Sequence, residues 1–415
     1  MKKNNKNIIN PCSGYFLLWT IYLMQGTLYP TGSVLSQILI LAILLISLCH
    51  AYLLLNKRHI PIFFNGLNLL VLMYTVYGIV LFFTDGWYVQ IPGKSGVQTF
   101  NYLKSYYMSL LPIYSCFYYT KRGYLKLQTL QLWAIIFIGV AISQYFSNQR
   151  EMLAKLIEEG SRREDITNNI GYVMASLIPI ALVFNKRIIF QYVYIGICAA
   201  FVFMAMKRGA ILISMIGIWM FVWHSLRKSI GYKKFISLFI IGIAFAYLYD
   251  LVIHLIEDSD YFNARIERTL AGDTSGRDEL FSGLINYYIN ESSIFNLLIG
   301  YGARGTDKII GNGAHNDWIE TLVCHGILGT ILFFFFLFAF FLSSYNKKYP
   351  IESLFILHII FVMYIVKTFF SMSIGDMTIY VDTMLGFALA DGFSSKRELI
   401  LKSIRKKRKN KNIVS

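Results

Sequence analysis

Three groups of residues in this chain have side chains able to do chemistry. The densest reads Gly300-Tyr-Gly302-Ala-Arg304, then Gly311-Asn-Gly-Ala-His315-Asn316-Asp-Trp-Ile-Glu320, and it runs directly into an apolar stretch. Glycines at 300, 302, 311 and 313 permit tight turns and close approach of backbone to a ligand. His315 falls at the start of a long helix, whose positive end disfavours an imidazolium, and a neutral ring is what a general base needs. Asn316 or Asp317 suits the N-cap, and Asp317-x-x-Glu320 reads as a capping box, so for Asp317 and Glu320 a structural role and a functional one both stand open.

The second group is Thr274-Ser-Gly-Arg277, preceded by Arg265 and Arg268; a guanidinium fork suits the oxygens of phosphate and pyrophosphate. The third is Lys207-Arg208-Gly209. Between Ile188 and Leu226 these are the only charges, and 39 residues would reach ~58 Å as one helix, far beyond a ~30 Å hydrocarbon core. The chain therefore has to fold back near this doubly basic turn.

The elements that hold these residues are apolar. Hydrophobic residues make up 56% of the 415 and charged ones 15%, against roughly a quarter charged in a soluble domain. Apolar runs fall at about 13–30, 33–55, 61–83, 100–119, 127–146, 168–184, 188–206, 210–226, 235–253, 317–342, 351–369 and 377–392. The expected fold is an all-α polytopic membrane protein of about twelve transmembrane helices. The chain reads as a single membrane domain over 1–415 with an uncleaved first span.

Alternating these spans from a cytoplasmic N-terminus puts Lys57-Arg58, Lys121-Arg122, Lys186-Arg187, Arg227-Lys228, Lys233-Lys234, Lys347-Lys348 and the basic tail (393–415) on one side. Both termini are then cytoplasmic. The net charge of +16 is thus largely topological and argues against a nucleic-acid partner, while the tail suits a solvated anchor or an anionic-lipid contact. Lys207-Arg208 breaks the rule as a tight turn, landing on the outer face, where such a turn is disfavoured unless it has work to do. The longest outer segment, residues 254–316 between spans 9 and 10, contains an amphipathic stretch at 279–288 suited to a short helix lying along the membrane interface.

Lys104, Lys367, Glu320 and Asp382 all fall in the outer halves of their spans, and intramembrane charges usually face a protein interior or a wet cavity. With Arg208, Arg277 and His315 they suggest an outward-opening basic cavity for an anionic ligand, although snorkelling also accounts for Lys104 and Lys367. The five cysteines show no metal-ligand spacing.

Taken together, Lys207-Arg208-Gly-Ala, Ser275-Gly-Arg277, Gly300-Tyr-Gly302 and His315-Asn-Asp-Trp-Ile-Glu, followed by Gly326-x-x-Gly329, resemble the O-antigen polymerase and O-antigen ligase family of bacterial inner-membrane enzymes. The resemblance covers roughly residues 200–330. It departs from the family pattern at Lys207, where a small polar residue often precedes the arginine, and at Phe281, where tryptophan is common.

The resemblance implies a C-type glycosyltransferase, independent of metal and cofactor, with its large loop and active site facing the periplasm. Undecaprenyl-pyrophosphate-linked glycans would be donor and acceptor in the bilayer, and a chain-length regulator is a possible partner. Arg208 and Arg277 would hold the pyrophosphate, and His315 would activate the acceptor hydroxyl. Lys207, Arg304, Gly300, Gly302, Asn316, Glu320, Lys104 and Lys367 complete the expected substrate-binding set. A polymerase is favoured over a ligase that transfers glycan to lipid A core. A flippase for the same lipid-linked sugars is a third reading, but transport should place ionisable residues near mid-membrane rather than at one face.

Overall fold

The computed structural model describes residues 10–55, 57, 60–92, 94–159, 168–185, 187–205, 207–228, 277–374 and 378–393, with positions 239, 242 and 250. The expected span at 235–253 therefore lies almost wholly outside the described residues. So do Arg265, Arg268, Thr274 and Ser275, and the tail from 394.

Helices dominate. In chain order they are α1 (Pro11–Leu23), α2 (Val34–Leu55), α3 (Ile62–Asp85), α4 (Phe100–Leu110), α5 (Pro112–Lys121), α6 (Leu127–Glu159), α7 (Ile170–Leu177), α8 (Ile188–Met204), α9 (Arg208–Lys228), α10 (Arg277–Asn290), α11 (Ile294–Ile299), α12 (Gly305–Ile310), α13 (Asp317–Ser344), α14 (Ile351–Phe370) and α15 (Ile379–Leu389). Among the described residues, α2, α3, α6, α9, α13 and α14 are long and apolar enough to cross a membrane; α7 with its extension, α8 and α15 are shorter apolar helices.

The apolar runs thus mark helices, but three of them are interrupted. The run at 100–119 breaks between α4 and α5 at Leu111, where Pro112 opens the second helix. Proline has no N–H to continue the preceding hydrogen-bond ladder. The run at 168–184 passes from α7 into a 3-10 turn, Ile178–Phe184, with Pro179 at its start. In α13 the break is at Gly326, with φ of +66°.

What the helices bury follows packing rather than polarity. On α13, Phe333, Phe336, Leu337 and Phe340 are buried, while Ile331, Phe334, Phe335 and Phe338 are exposed. A helix apolar on every face but covered on only one is matched to lipid rather than water. α13 lies along α3, α15 along α5, and α14 touches α9, α13 and α15. At the α3–α13 contact, Gly66 approaches so closely that a Cβ there would lie 2.8 Å from the Phe336 Cα. Asp382, on α15, is fully buried with neither carboxylate oxygen hydrogen-bonded among the described residues.

The two ends of the bundle differ. At one end basic side chains lie over aromatic faces: Lys57 and Arg122 over Tyr118, Lys121 over Phe117, and Arg187 over Phe190. The other end is irregular and holds the α10–α12 segment. It also carries an antiparallel hairpin, β1 (Tyr88–Ile91) and β2 (Lys94–Gln98), in which Tyr88 pairs with Gln98 and Val89 with Val97. An ion pair between Lys308 and Asp85 (2.8 Å) ties this segment to the end of α3.

Candidate active site

The described members of the three chemical groups, Lys207-Arg208, Arg277 and the 300–320 stretch, lie at this irregular end. The turn between α8 and α9 is fixed from beneath by Asn168, whose N–H donates to the Ala205 carbonyl (3.3 Å), and by the Tyr145 hydroxyl, which donates to Met204 (3.1 Å). The Asn168 amide also donates to the Tyr145 carbonyl and receives a bond from Asn148. Arg208 opens α9. Beside it, Gly209 leaves room for Tyr172; a Cβ there would stand 2.2 Å from the Tyr172 hydroxyl.

Tyr172 links two expected residues from distant parts of the chain. Lys207 Nζ lies 5.9 Å from its ring centroid and Lys367 Nζ 5.1 Å. Two ammonium groups from distant parts of the chain are thus gathered at one aromatic ring, each within reach of a cation–π contact.

Lys367 belongs to the last turn of α14, and that helix end collects the remaining groups. Arg277 donates from Nη1 to the Phe370 carbonyl (2.9 Å). The Asn316 amide donates to the preceding carbonyl, Phe369 (3.3 Å). Trp318 Nε1 donates to Thr368 Oγ1 (3.0 Å), and Asp317 accepts from the Ser373 N–H (2.7 Å). The last carbonyls of a helix lack intrahelical partners, so these donors satisfy acceptors that α14 leaves open. They also bring Arg277 and the His315-Asn316 pair to consecutive residues of one helix.

His315 is exposed, with φ of +52°, a left-handed conformation that a residue bearing a Cβ adopts at a cost. Both neighbours enforce it. Asn316 is the N-cap of α13, accepting from the N–H groups of Trp318 (2.9 Å) and Ile319 (3.2 Å). Ala314 donates its N–H to Glu320 Oε2 (2.8 Å). Glu320 Oε1 accepts from Thr306 (2.7 Å) and Cys324 (3.5 Å). The capping-box expectation is corrected accordingly: Asn316 caps alone, Asp317 ties α13 to the chain after α14, and Glu320 braces the turn that presents His315.

In the glycine-rich stretch the close approach at Gly300 is to backbone of the chain itself. Where α13 breaks, the carbonyls of Val323 and Cys324 accept from the N–H groups of Tyr301 and Gly302, both at 2.9 Å. A Cβ at Gly300 would lie 2.4 Å from the Cys324 backbone, and one at Gly326 would lie 2.5 Å from backbone atoms of Leu298 and Gly300. Gly302 has φ of +85° and open space at its Cβ position. Tyr77 bonds the Ile299 and His325 carbonyls, and His325 pairs with Tyr102 (2.9 Å). Arg304, also left-handed, pairs with Asp307 (3.2 Å) at the start of α12. The amphipathic stretch forms α10, which buries Leu284 and Tyr288 in a small cluster with Ala314 and Val323.

Lys104 stands apart from these groups, on α4, lining a cavity with Trp19 and Tyr380. Among the described residues no group of three or more His, Cys, Asp or Glu is arranged to hold a metal ion.

Residues 193–334 match the O-antigen ligase family. No curated protein matches the chain. The O-antigen ligase family segment takes in Lys207, Arg208, Arg277, His315 and Glu320 but stops short of Lys367 and does not reach Tyr172 or Lys104. Over this third of its length the chain is similar to O-antigen ligases, and among the described residues it carries six helices long and apolar enough to cross a membrane. Sequence reasoning missed Tyr172 and Asn168. Neither carries a charge or belongs to a motif, and the only signal was that the run at 168–184 opens with polar Asn168-Asn169.

Proposed function

We propose that the protein is a polysaccharide polymerase. It would join undecaprenyl-pyrophosphate-linked oligosaccharide units, of O-antigen, capsule or exopolysaccharide, on the outer face of the bacterial cytoplasmic membrane. The observation that carries this reading is the convergence of Arg277 and the strained His315 turn on consecutive carbonyls of α14, beside Lys367 and the Lys207-Arg208 turn. In this reading the cations serve a leaving pyrophosphate and His315 is the base for an incoming hydroxyl.

In the proposed reaction the acceptor hydroxyl oxygen bonds to the donor's anomeric carbon while the bond from that carbon to the pyrophosphate oxygen breaks. His315 takes the hydroxyl proton. Arg208 and Arg277 stabilise the charge that collects on the departing undecaprenyl pyrophosphate. Glu320 and Asn316 position His315 without touching substrate. The polyprenyl tail stays in the lipid against the exposed apolar helix faces.

The family's description supports a second reading, a ligase that transfers the finished glycan to lipid A core. Surface glycans resolved on a gel separate the two, comparing cells that lack the protein with cells complemented by wild type or Arg277→Ala. Core carrying a single repeat unit after deletion marks a polymerase. Bare core, with lipid-linked polymer accumulating, marks a ligase. An unchanged ladder in deleted cells overturns both readings.

A further inference from the structure

Away from the His315 turn, at the same end of the bundle, α1, α4, α6, α7 and α15 enclose a cavity of about 270 Å³. Lys104 lines it, and no ion-pair or hydrogen-bond partner for this ammonium occurs among the described residues. Three further polar atoms of its lining residues are buried and unbonded among the described residues: the hydroxyl of Tyr380, a residue 1% exposed, Nε1 of Trp19 and Oε1 of Gln144. Gln144 is held in place because its Nε2 donates to the Leu23 carbonyl (3.0 Å), while its carbonyl oxygen has no bond among the described residues. Trp19 and Tyr22 supply aromatic walls.

Buried polar groups are normally satisfied, and leaving one unmet costs free energy that a bound ligand recovers. One cation, one hydroxyl, one indole N–H, one amide oxygen and flat aromatic faces match a small, hydroxyl-rich molecule bearing one anionic group. Val173, adjacent in sequence to Tyr172, lines the same cavity. The cavity and the Lys207–Tyr172–Lys367 group therefore meet across the first turns of α7. On α6, Ser147 and Arg150 line a wider hollow of about 510 Å³, beside Gln144 along the helix.

We propose that this cavity is a saccharide subsite for an acidic sugar, resting on the reading that the protein handles glycans. Lys104 pairs with the sugar's anion, Tyr380 and Gln144 bond its hydroxyls, and Trp19 or Tyr22 packs against its ring. The anion is either the carboxylate of a sugar acid or a phosphate on the anomeric carbon.

The test is binding without turnover. Full-length protein in lipid nanodiscs is titrated with glucuronic acid, glucose 1-phosphate and glucose, and saturation-transfer NMR reads occupancy. In wild type, one of the two acidic sugars binds roughly tenfold more tightly than glucose, as one charge-assisted contact supplies. Which of the two it is identifies the anion. Lys104→Gln removes the preference and Lys104→Arg keeps most of it, which separates loss of charge from loss of fold. The proposal fails if glucose binds as tightly as both acidic sugars, or if Lys104→Gln leaves the preference intact. Because no polymer is made, a failed polymerase reading leaves this result standing, and the converse also holds.

Discussion

The turn that presents His315 and the cavity that holds Lys104 lie at the same end of one helix bundle but are built in opposite ways. Around His315 nearly every polar neighbour is tied down: Asn316 to two backbone amides and a carbonyl, Asp317 to Ser373, Glu320 to three donors. Around Lys104 the hydroxyl of Tyr380 and the oxygen of Gln144 find no bond among the described residues. A group that moves a proton gains from a fixed position, because a misplacement of ~1 Å can cost about a hundredfold in rate. A group that recognises a ligand gains from bonds left for the ligand to make.

If that contrast is right, changes at the first region should cost rate out of proportion to stability. The largest effect is expected for His315→Ala, a loss of roughly 10²- to 10⁴-fold in transfer with normal expression. A wild-type polymer ladder from this stably expressed variant breaks the assignment of the base. His315→Gly sharpens it: equally inactive, it should unfold at a higher temperature than His315→Ala, because glycine adopts φ of +52° without penalty. Arg277→Lys keeps the charge but not the fork, and should lower transfer roughly 10- to 100-fold, read as repeat units added per unit time.

Smaller effects probe the bracing. Glu320→Gln can keep its oxygen on the Ala314 N–H but turns an amide donor toward Thr306, whose hydroxyl must then accept rather than donate, and should cost about 1 kcal/mol in thermal unfolding. The smallest change compares two variants at one position. Asn316→Ala should lose about 0.5–2 kcal/mol with the cap, whereas Asn316→Asp keeps the cap but sets a carboxylate oxygen against the Phe369 carbonyl, and should lose less than Asn316→Ala. Equal destabilisation by both would show that the bond to α14, rather than the cap, holds the turn.

The helices were legible where tertiary contacts did not interrupt them. Apolar runs at 33–55, 61–83 and 351–369 match α2, α3 and α14 to within about two residues. The charges that a membrane segment rarely tolerates, Lys104, Lys367 and Lys207-Arg208, pointed to the end of the bundle where they are found. The roles of the glycines were not legible, because Gly300 and Gly326 face backbone from parts of the chain that come together only in the fold. For the same reason Glu320, which looked like half of a capping box, turned out to bond a threonine and an amide outside its helix. Tyr172 was hidden because an aromatic in an apolar run looks like core until two lysines from elsewhere are placed against it.

The joint between Gly300 and Gly326 has a genetic consequence. Each would drive a Cβ into main-chain atoms, not into a side chain that a second mutation could shorten. A selection for restored surface polymer, begun from Gly326→Ala or Gly300→Ala, should therefore return true revertants at the mutated codon and no compensating change at the other. From Gly209→Ala, where the obstacle is the end of the Tyr172 side chain, second-site suppressors at codon 172 become available.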